Sequence, residues 1–272
     1  MSYVEDMFSL EGVNAVVTGG AGVLPSAMSR VLLRAGARIS IWGRGTNHPV
    51  EEAAAKLEQE TGAGGRVYAE TVDAADEHAV REALARTETS MGMPTVLING
   101  VGGNKGKSDF VDIDTETFEQ VVEMNLLAGL VIPSKIFAKR WQEREVKASI
   151  INLASMTSFV PLSGVWAYNA AKSAVKTLTE GAARELAPLI RVNAIAPGFF
   201  VGYQNKSLLI KNEETGELTD RGRAIIDRTP FGRFGTMEDI EGATVFLVSE
   251  RAAGFVTGVT LPVDGGYLTD NI

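Results

Sequence analysis

Three side chains of this 272-residue chain have the types and the spacing for proton-coupled chemistry at a carbonyl group: Ser155, Tyr168 and Lys172. The alanine-rich run from about residue 165 reads as a helix, so Tyr168 and Lys172, four positions apart, share one face. A free phenol titrates near ~10, which leaves only about one molecule in a thousand ionised at neutral pH. An ammonium about 4 Å away, at an effective dielectric of ~20, is worth about 4 kcal/mol. That is enough to lower the phenol by up to roughly three pH units. Ser155 ends the apolar run 149–153, which puts its hydroxyl at the carboxyl edge of a sheet, where α/β proteins bind ligands. Tyr and Lys one turn apart also occur on ordinary solvated helix faces, so the surrounding elements must decide.

Those elements alternate. Strands are expected at 13–17, 38–42, 66–72, 95–99, 149–153, 190–195 and 258–266, with helices at 24–34, 50–60, 76–89, 116–125, 165–186 and 237–249. The pattern predicts an α/β fold, a Rossmann-like, doubly wound, mostly parallel seven-stranded sheet with helices on both faces. Thr18-Gly19-Gly20-Ala21-Gly22 falls between the first strand and the first helix, where backbone N–H groups and the helix dipole favour a phosphate. No composition break divides the chain, so residues 1–272 read as a single domain. A charged excursion at about 199–230 suits a lid or surface loop.

Composition narrows the function. Hydrophobic residues make up 45% of the chain, enough for one sizeable core. The absence of cysteine excludes thiolate catalysis, disulfides and cysteine-ligated metals, and the two histidines, His48 and His78, lie in no ligand-spaced cluster. No metal is expected. The formal charge of −8 argues against a nucleic-acid partner. No apolar run reads as long enough to span a bilayer, and the first residues lack a basic segment followed by an apolar one, so a cytoplasmic protein with no membrane partner is expected.

Ser155 followed thirteen residues later by Tyr168-Asn-Ala-Ala-Lys172 resembles the signature of the short-chain dehydrogenase/reductases, and the resemblance runs from about residue 10 to 267. It implies a dinucleotide-binding and catalytic domain, a strand order of 3-2-1-4-5-6-7, and a catalytic set of Asn125, Ser155, Tyr168 and Lys172. It also implies cofactor contacts from Gly19, Gly22, Val23, Leu24, Asp73, Asn99, Gly100, Tyr168, Lys172, Pro197 and Gly198. Asp73 would meet the adenine, although taken alone a turn or helix cap explains it better. The backbone carbonyl of Asn125 would hold a water against Lys172. Two departures stand out. Val23 and Pro25 occupy the second and third glycine positions of the TGxxxGxG pattern, and Gly100 replaces the second asparagine of NNAG. At the end of the second strand, Gly43-Arg44 stands where a carboxylate would bind a ribose diol; Arg44 suits a 2′-phosphate instead. NADP(H) is therefore favoured, with NAD(H) the alternative.

The expected activity is hydride transfer between a nicotinamide and a carbonyl or secondary alcohol of a small molecule. TGGAGVL, the loop NGVGGNKGK and the run NEETGELTDRGRAIIDRTPFGRFG resemble the mannonate oxidoreductase (fructuronate reductase) branch, which implies a sugar acid. Lys105 and Lys107 in that loop, and Lys211, Arg221, Arg223 or Arg228 in the excursion, are candidates to meet its carboxylate. The alternatives are a keto-gluconate or sugar-alcohol reductase, a general ketone reductase with an apolar pocket from Trp166, Phe199 and Phe200, and a non-catalytic dinucleotide-binding sensor or scaffold. The resemblance also implies a homo-oligomer, a tetramer or dimer built on the helices around 118–140 and 165–186.

Overall fold

The computed structural model describes residues 2–46, 48–202 and 205–269. After a short helix α1 (Tyr3–Phe8), strands and helices alternate as β1 (Asn14–Thr18), α2 (Val23–Arg34), β2 (Arg38–Gly43), α3 (Val50–Thr61), β3 (Val67–Thr71), α4 (Glu77–Met91) and β4 (Val96–Asn99). The second half runs through α5 (Thr115–Val122), a π-helical stretch (Glu123–Val131), α6 (Ile132–Glu143), β5 (Ala148–Leu153), α7 (Trp166–Leu186) and β6 (Ile190–Pro197). It then passes α8 (Lys206–Leu209), β7 (Ile210–Asn212), β8 (Glu217–Leu218), α9 (Asp220–Asp227), α10 (Met237–Val248), α11 (Glu250–Ala253) and β9 (Thr260–Val263).

Seven strands form one sheet in the order β3-β2-β1-β4-β5-β6-β9, as expected for the fold. Every pair in it is parallel. Alternation along the strands divides the core in two. Val17, Ile39, Ile41 and Ile98 pack with Met28, Leu32, Leu57 and Leu247 on one face. Val16, Trp42, Leu97 and Ile150 pack with Val80, Phe137 and Trp141 on the other. All six residues of β5 and all eight of β6 are buried, the property of strands covered by helices on both sides. The excursion after β6 carries a small antiparallel pair, β7 with β8.

One boundary differs from expectation. The helix read as ending at Asn125 continues through the π-helical stretch to Glu143, because wider i→i+5 turns let the chain pass Asn125 without a break. Gly129 permits this path: a Cβ there would stand 2.6 Å from the Val101 carbonyl oxygen. The continuous element Thr115–Glu143 is long and apolar enough to cross a membrane by length and composition, with an 18-residue window of mean hydropathy 1.5, which corrects the expectation that no such run exists. Of its apolar window 56% is buried inside the protein, as in the core helix of a globular domain.

Candidate active site

The carboxyl ends of β1, β4, β5 and β6 open onto a cleft of roughly 310 Å³. Among the residues lining it are Gly22, Val23, Leu24, Gly100, Ser155, Tyr168, Lys172, Pro197 and Gly198. Gly22 caps α2 with extended backbone and no side-chain bond, so the first amides of that helix are left for a ligand. Val23 and Pro25 at the glycine positions do not close the cleft. Gly19 has φ +62°, and a Cβ on it would lie 2.9 Å from the Gly100 carbonyl group. A Cβ on Gly100 would lie 2.4 Å from the Thr18 oxygen and 2.7 Å from Pro25 Cγ. The two departures from the family pattern thus meet: Pro25 is buried against the space that a side chain at 100 would need.

Ser155 lies just past β5 and caps a single 3₁₀ turn, Met156–Ser158; its Oγ accepts from the Thr157 amide at 3.1 Å. Ser158, which sequence reasoning missed, ties the site together. Its Oγ accepts from the Ser155 amide at 3.3 Å and donates to the Lys172 carbonyl at 2.7 Å. The Ser-x-x-Ser spacing of a cap was the available signal.

Tyr168 and Lys172 share a face of α7, with Lys172 Nζ 5.7 Å from the centre of the Tyr168 ring. The expected acidification of the phenol is not what the structure shows. Burial pushes the Tyr168 phenol up, and a hydrogen bond with Ser155 only partly opposes it. Lys172 is 4% exposed and donates from Nζ to the Leu153 carbonyl at 2.7 Å. Burial pushes its ammonium down to about 8. Burial is the first cause of both shifts, and the ammonium is bonded to a backbone oxygen.

Asn125 sits fully buried in the π-helical stretch. Its Nδ2 donates to the Gly103 carbonyl (2.7 Å) and the Val121 carbonyl (2.8 Å), and its Oδ1 accepts from the Gly103 amide at 3.0 Å. The side chain therefore clamps the loop after β4 from behind. Gly102 runs just over this clamp: a Cβ there would meet Asn125 Oδ1 at 2.7 Å and Lys172 Nζ at 3.1 Å. Gly198 is equally constrained, since its Cβ would meet Asp264 Cα at 2.7 Å.

Besides Asn125, four expected residues stand apart from the cleft lining. Gly19 lies behind Gly100. Asn99 turns its side chain into the sheet, donating from Nδ2 to Ser134 Oγ and Asn152 Oδ1, both at 2.8 Å. Asp73 is exposed and accepts from the Ala75 amide at 3.0 Å, the turn geometry that its sequence context also allowed. Arg44 is exposed just past β2 and pairs with no carboxylate among the described residues. Phe199 and Phe200 line the cleft, whereas Trp166 faces a neighbouring cavity and donates from Nε1 to the Ser108 carbonyl at 3.1 Å. Gly103, the end of the turn that resembles NNAG, lines the cleft too, and Gly202 and Asn205 also line it and were not foreseen.

Comparison with known proteins agrees with this geometry. The matching family model, described as enoyl-(acyl carrier protein) reductase, spans residues 24–268. An uncharacterized oxidoreductase, UxuB, of Bacillus subtilis is 39% identical over 96% of each chain. A solved structure of a candidate D-mannonate oxidoreductase from Haemophilus influenza with bound NAD superposes with TM-score 0.87 at 35% identity, covering 98% of this chain and 99% of that one. A candidate 2-deoxy-D-gluconate 3-dehydrogenase from Agrobacterium tumefaciens with bound NADP superposes with TM-score 0.83 at 34% identity, covering 97% and 99%. Sheet order, the glycine turn at the head of α2 and these matches along nearly the whole length agree: the chain belongs to the short-chain dehydrogenase/reductase family and is an NAD(P)-dependent oxidoreductase.

Proposed function

We propose that this enzyme exchanges hydride between NADP(H) and the carbonyl or secondary alcohol carbon of a sugar acid of the fructuronate and mannonate type. The observation that carries the reading is the convergence of Ser155, Tyr168 and Lys172 in one cleft with the uncapped head of α2. The glycines at 19, 100 and 102, where a Cβ would strike neighbouring atoms, form a cradle with backbone close behind it, which fits an extended dinucleotide. Gly22, Val23 and Leu24 would hold its pyrophosphate, Pro197 and Gly198 would lie under its nicotinamide, and Asp73 would stand at the adenine end. The bound dinucleotide supplies or accepts the hydride.

The protein's share is proton transfer and placement. In the reducing direction Tyr168 gives its phenolic proton to the carbonyl oxygen as hydride reaches the carbon, and Ser155 donates a hydrogen bond to the same oxygen. Ser155 keeps its own proton for this, because Oγ meets the Thr157 amide as acceptor, and the proton it shares with the Tyr168 phenol would turn to the substrate oxygen. A phenol kept protonated by burial is the right form for an acid. Lys172 holds positive charge beside the ring and orients the ribose, and Asn125 fixes the loop that runs over it.

Arg44, with Gly43 in place of a carboxylate, favours the 2′-phosphate; the NAD held by the Haemophilus relative supports NAD(H) as the second reading. Exposed Leu127 and Leu178 on the two long helices support a homo-oligomer, a tetramer or dimer, which light scattering would measure. We place the enzyme in the cytoplasm, to be checked by fractionation. The deciding experiment is a panel of fructuronate, keto-gluconates, sugar alcohols and neutral ketones, assayed with each nicotinamide. A neutral ketone turned over as fast as every acid removes the sugar-acid reading.

A further inference from the structure

Tyr168 stands in the first turn of α7, two residues after the helix begins at Trp166, and that turn has no side-chain cap: Val165 precedes it and bonds none of its amides through a side chain. Helix starts of this kind fray, because their first amides find no partner inside the helix. A group that must meet a reacting oxygen is poorly placed on such a turn, since a displacement of about 1 Å costs up to about a hundredfold in rate. Two side chains to which the proton transfer gives no part stand in for the missing cap.

Asn169, 7% exposed, is the first. Its Nδ2 donates to the Leu162 carbonyl at 2.7 Å and its Oδ1 accepts from the Leu162 amide at 3.3 Å, so one side-chain amide closes on both polar atoms of a residue in the loop that enters the helix. The Asn169 backbone amide meanwhile donates to the Val165 carbonyl at 3.0 Å, the bond that starts the helical ladder. Asparagine is a poor helix former because its side chain competes for backbone groups, and here it does so with backbone outside the helix. Ser158 is the second. Its Oγ accepts from the Ser155 amide at 3.3 Å and donates to the Lys172 carbonyl at 2.7 Å, so one hydroxyl joins the backbones of two reacting residues. Tyr168 lies immediately before one of these pins and one turn before the other. Other ties leave the distance to Ser155 open. Lys172 Nζ reaches the Leu153 carbonyl, but through a flexible aliphatic stem that lets the backbone of α7 move. Trp166 reaches the other way, to the Ser108 carbonyl after β4.

We propose that Asn169 and Ser158 are positioning residues, which together hold the Tyr168 hydroxyl at a fixed separation from Ser155 so that both meet the substrate oxygen at once. This rests on the proton-transfer role given to Tyr168, and one arm of the test does without that role. In that arm, hydrogen exchange of the amides at 169–172 is compared in the full wild-type chain, Asn169→Ala and Ser158→Ala. Loss of either pin speeds it by about tenfold or more, while the amides of β1 keep their rate. In the other arm, kcat/KM for oxidation of the best alcohol from the substrate panel is followed against pH. Tyr168 must then be ionised to take the proton, and its hydrogen bond with Ser155 opposes the upward push of burial. Weakening that bond moves the acid limb of the profile to higher pH and lowers kcat/KM by about tenfold or more. Ser158→Thr, which keeps the hydroxyl, restores both, and cofactor affinity by fluorescence titration stays near wild type throughout. Ser158→Ala removes a single oxygen and decides the outcome if Asn169→Ala does not fold. Faster exchange with an unmoved limb makes the two residues merely structural and overturns the proposal, as does exchange at the wild-type rate. A Tyr168→Phe chain as active as the wild type sinks the role given to Tyr168, and the exchange arm still decides whether the pins hold the turn.

Discussion

Replacing Lys172 by methionine keeps the length of the stem and removes the charge, and the size of the effect follows from the structure. Lys172 is 4% exposed, and its ammonium titrates at about 8 rather than the 10.5 of a free lysine. Between pH 8 and 10.5 the unfolded chain still carries a proton on this side chain that the folded chain has released. Stability therefore rises with pH across that window in the wild type and is independent of this group below it. The difference between 10.5 and about 8, at 1.36 kcal/mol per pH unit, is about 3 kcal/mol. In Lys172→Met the contribution is absent at every pH. The unpaired Leu153 carbonyl left behind costs about 1–3 kcal/mol, but by an amount that does not change with pH. The assay is urea denaturation followed by tryptophan fluorescence from pH 7 to 10.5, at one protein concentration for both chains so that any assembly is held constant. Wild-type stability minus variant stability should be flat up to about pH 8 and then climb by about 3 kcal/mol. A difference that stays level across the whole range refutes the claim that burial, and not a neighbouring charge, governs this lysine.

Tyr168→Phe should cost about a hundredfold or more in kcat, with cofactor affinity by fluorescence titration near wild type; a fully active phenylalanine variant removes Tyr168 from the proton path. Asn125→Ala deletes three hydrogen bonds that pin Gly103 and the helix, so amide exchange in residues 103–110 should speed by about tenfold or more, while that of β1 is unchanged. Arg44→Ser should weaken NADPH by about tenfold while leaving NADH within twofold, measured as the ratio of kcat/KM values; equal losses on both would assign Arg44 to the surface. Gly100→Ala should destabilise by about 1–3 kcal/mol in chemical denaturation, because the new carbon would sit 2.4 Å from the Thr18 oxygen.

The sequence carried the fold well because each strand that mattered was short, apolar and followed by a glycine turn or a cap. The same local signals placed Ser155 after β5 and the Tyr168–Lys172 pair on α7. What it lacked was everything set by distance through space. A Coulomb estimate from the i, i+4 spacing predicted an acidic phenol, but burial of Tyr168 and the Lys172 bond to Leu153 are tertiary facts that invert it. Asn99 matched a family motif, yet its side chain answers to Asn152 and Ser134, one on a neighbouring strand and one on a distant helix. The basic residues of the excursion looked equivalent in the chain. Only packing shows Lys211 taken by Glu217 and Arg228 laid over the Tyr267 ring. The π-helical stretch left no mark because its apolar residues satisfy either period over so short a run.

That wide-turned stretch gives the long helix two rotational phases. Upstream, the angle is fixed by the grip of Asn125 on Gly103; downstream, by Trp141, whose indole N–H reaches the Pro94 carbonyl at 2.7 Å. In a straight α-helix one residue gained or lost turns everything beyond it by about 100°, so neither anchor could shift without dragging the other. Beyond Asn125, from residue 126 to 131, the spare backbone acts as a slip joint, in which a turn can tighten or loosen and absorb the rotation. The loop over the reacting groups can thus be retuned in evolution, or by design, while the aromatic packing beneath the sheet keeps its setting.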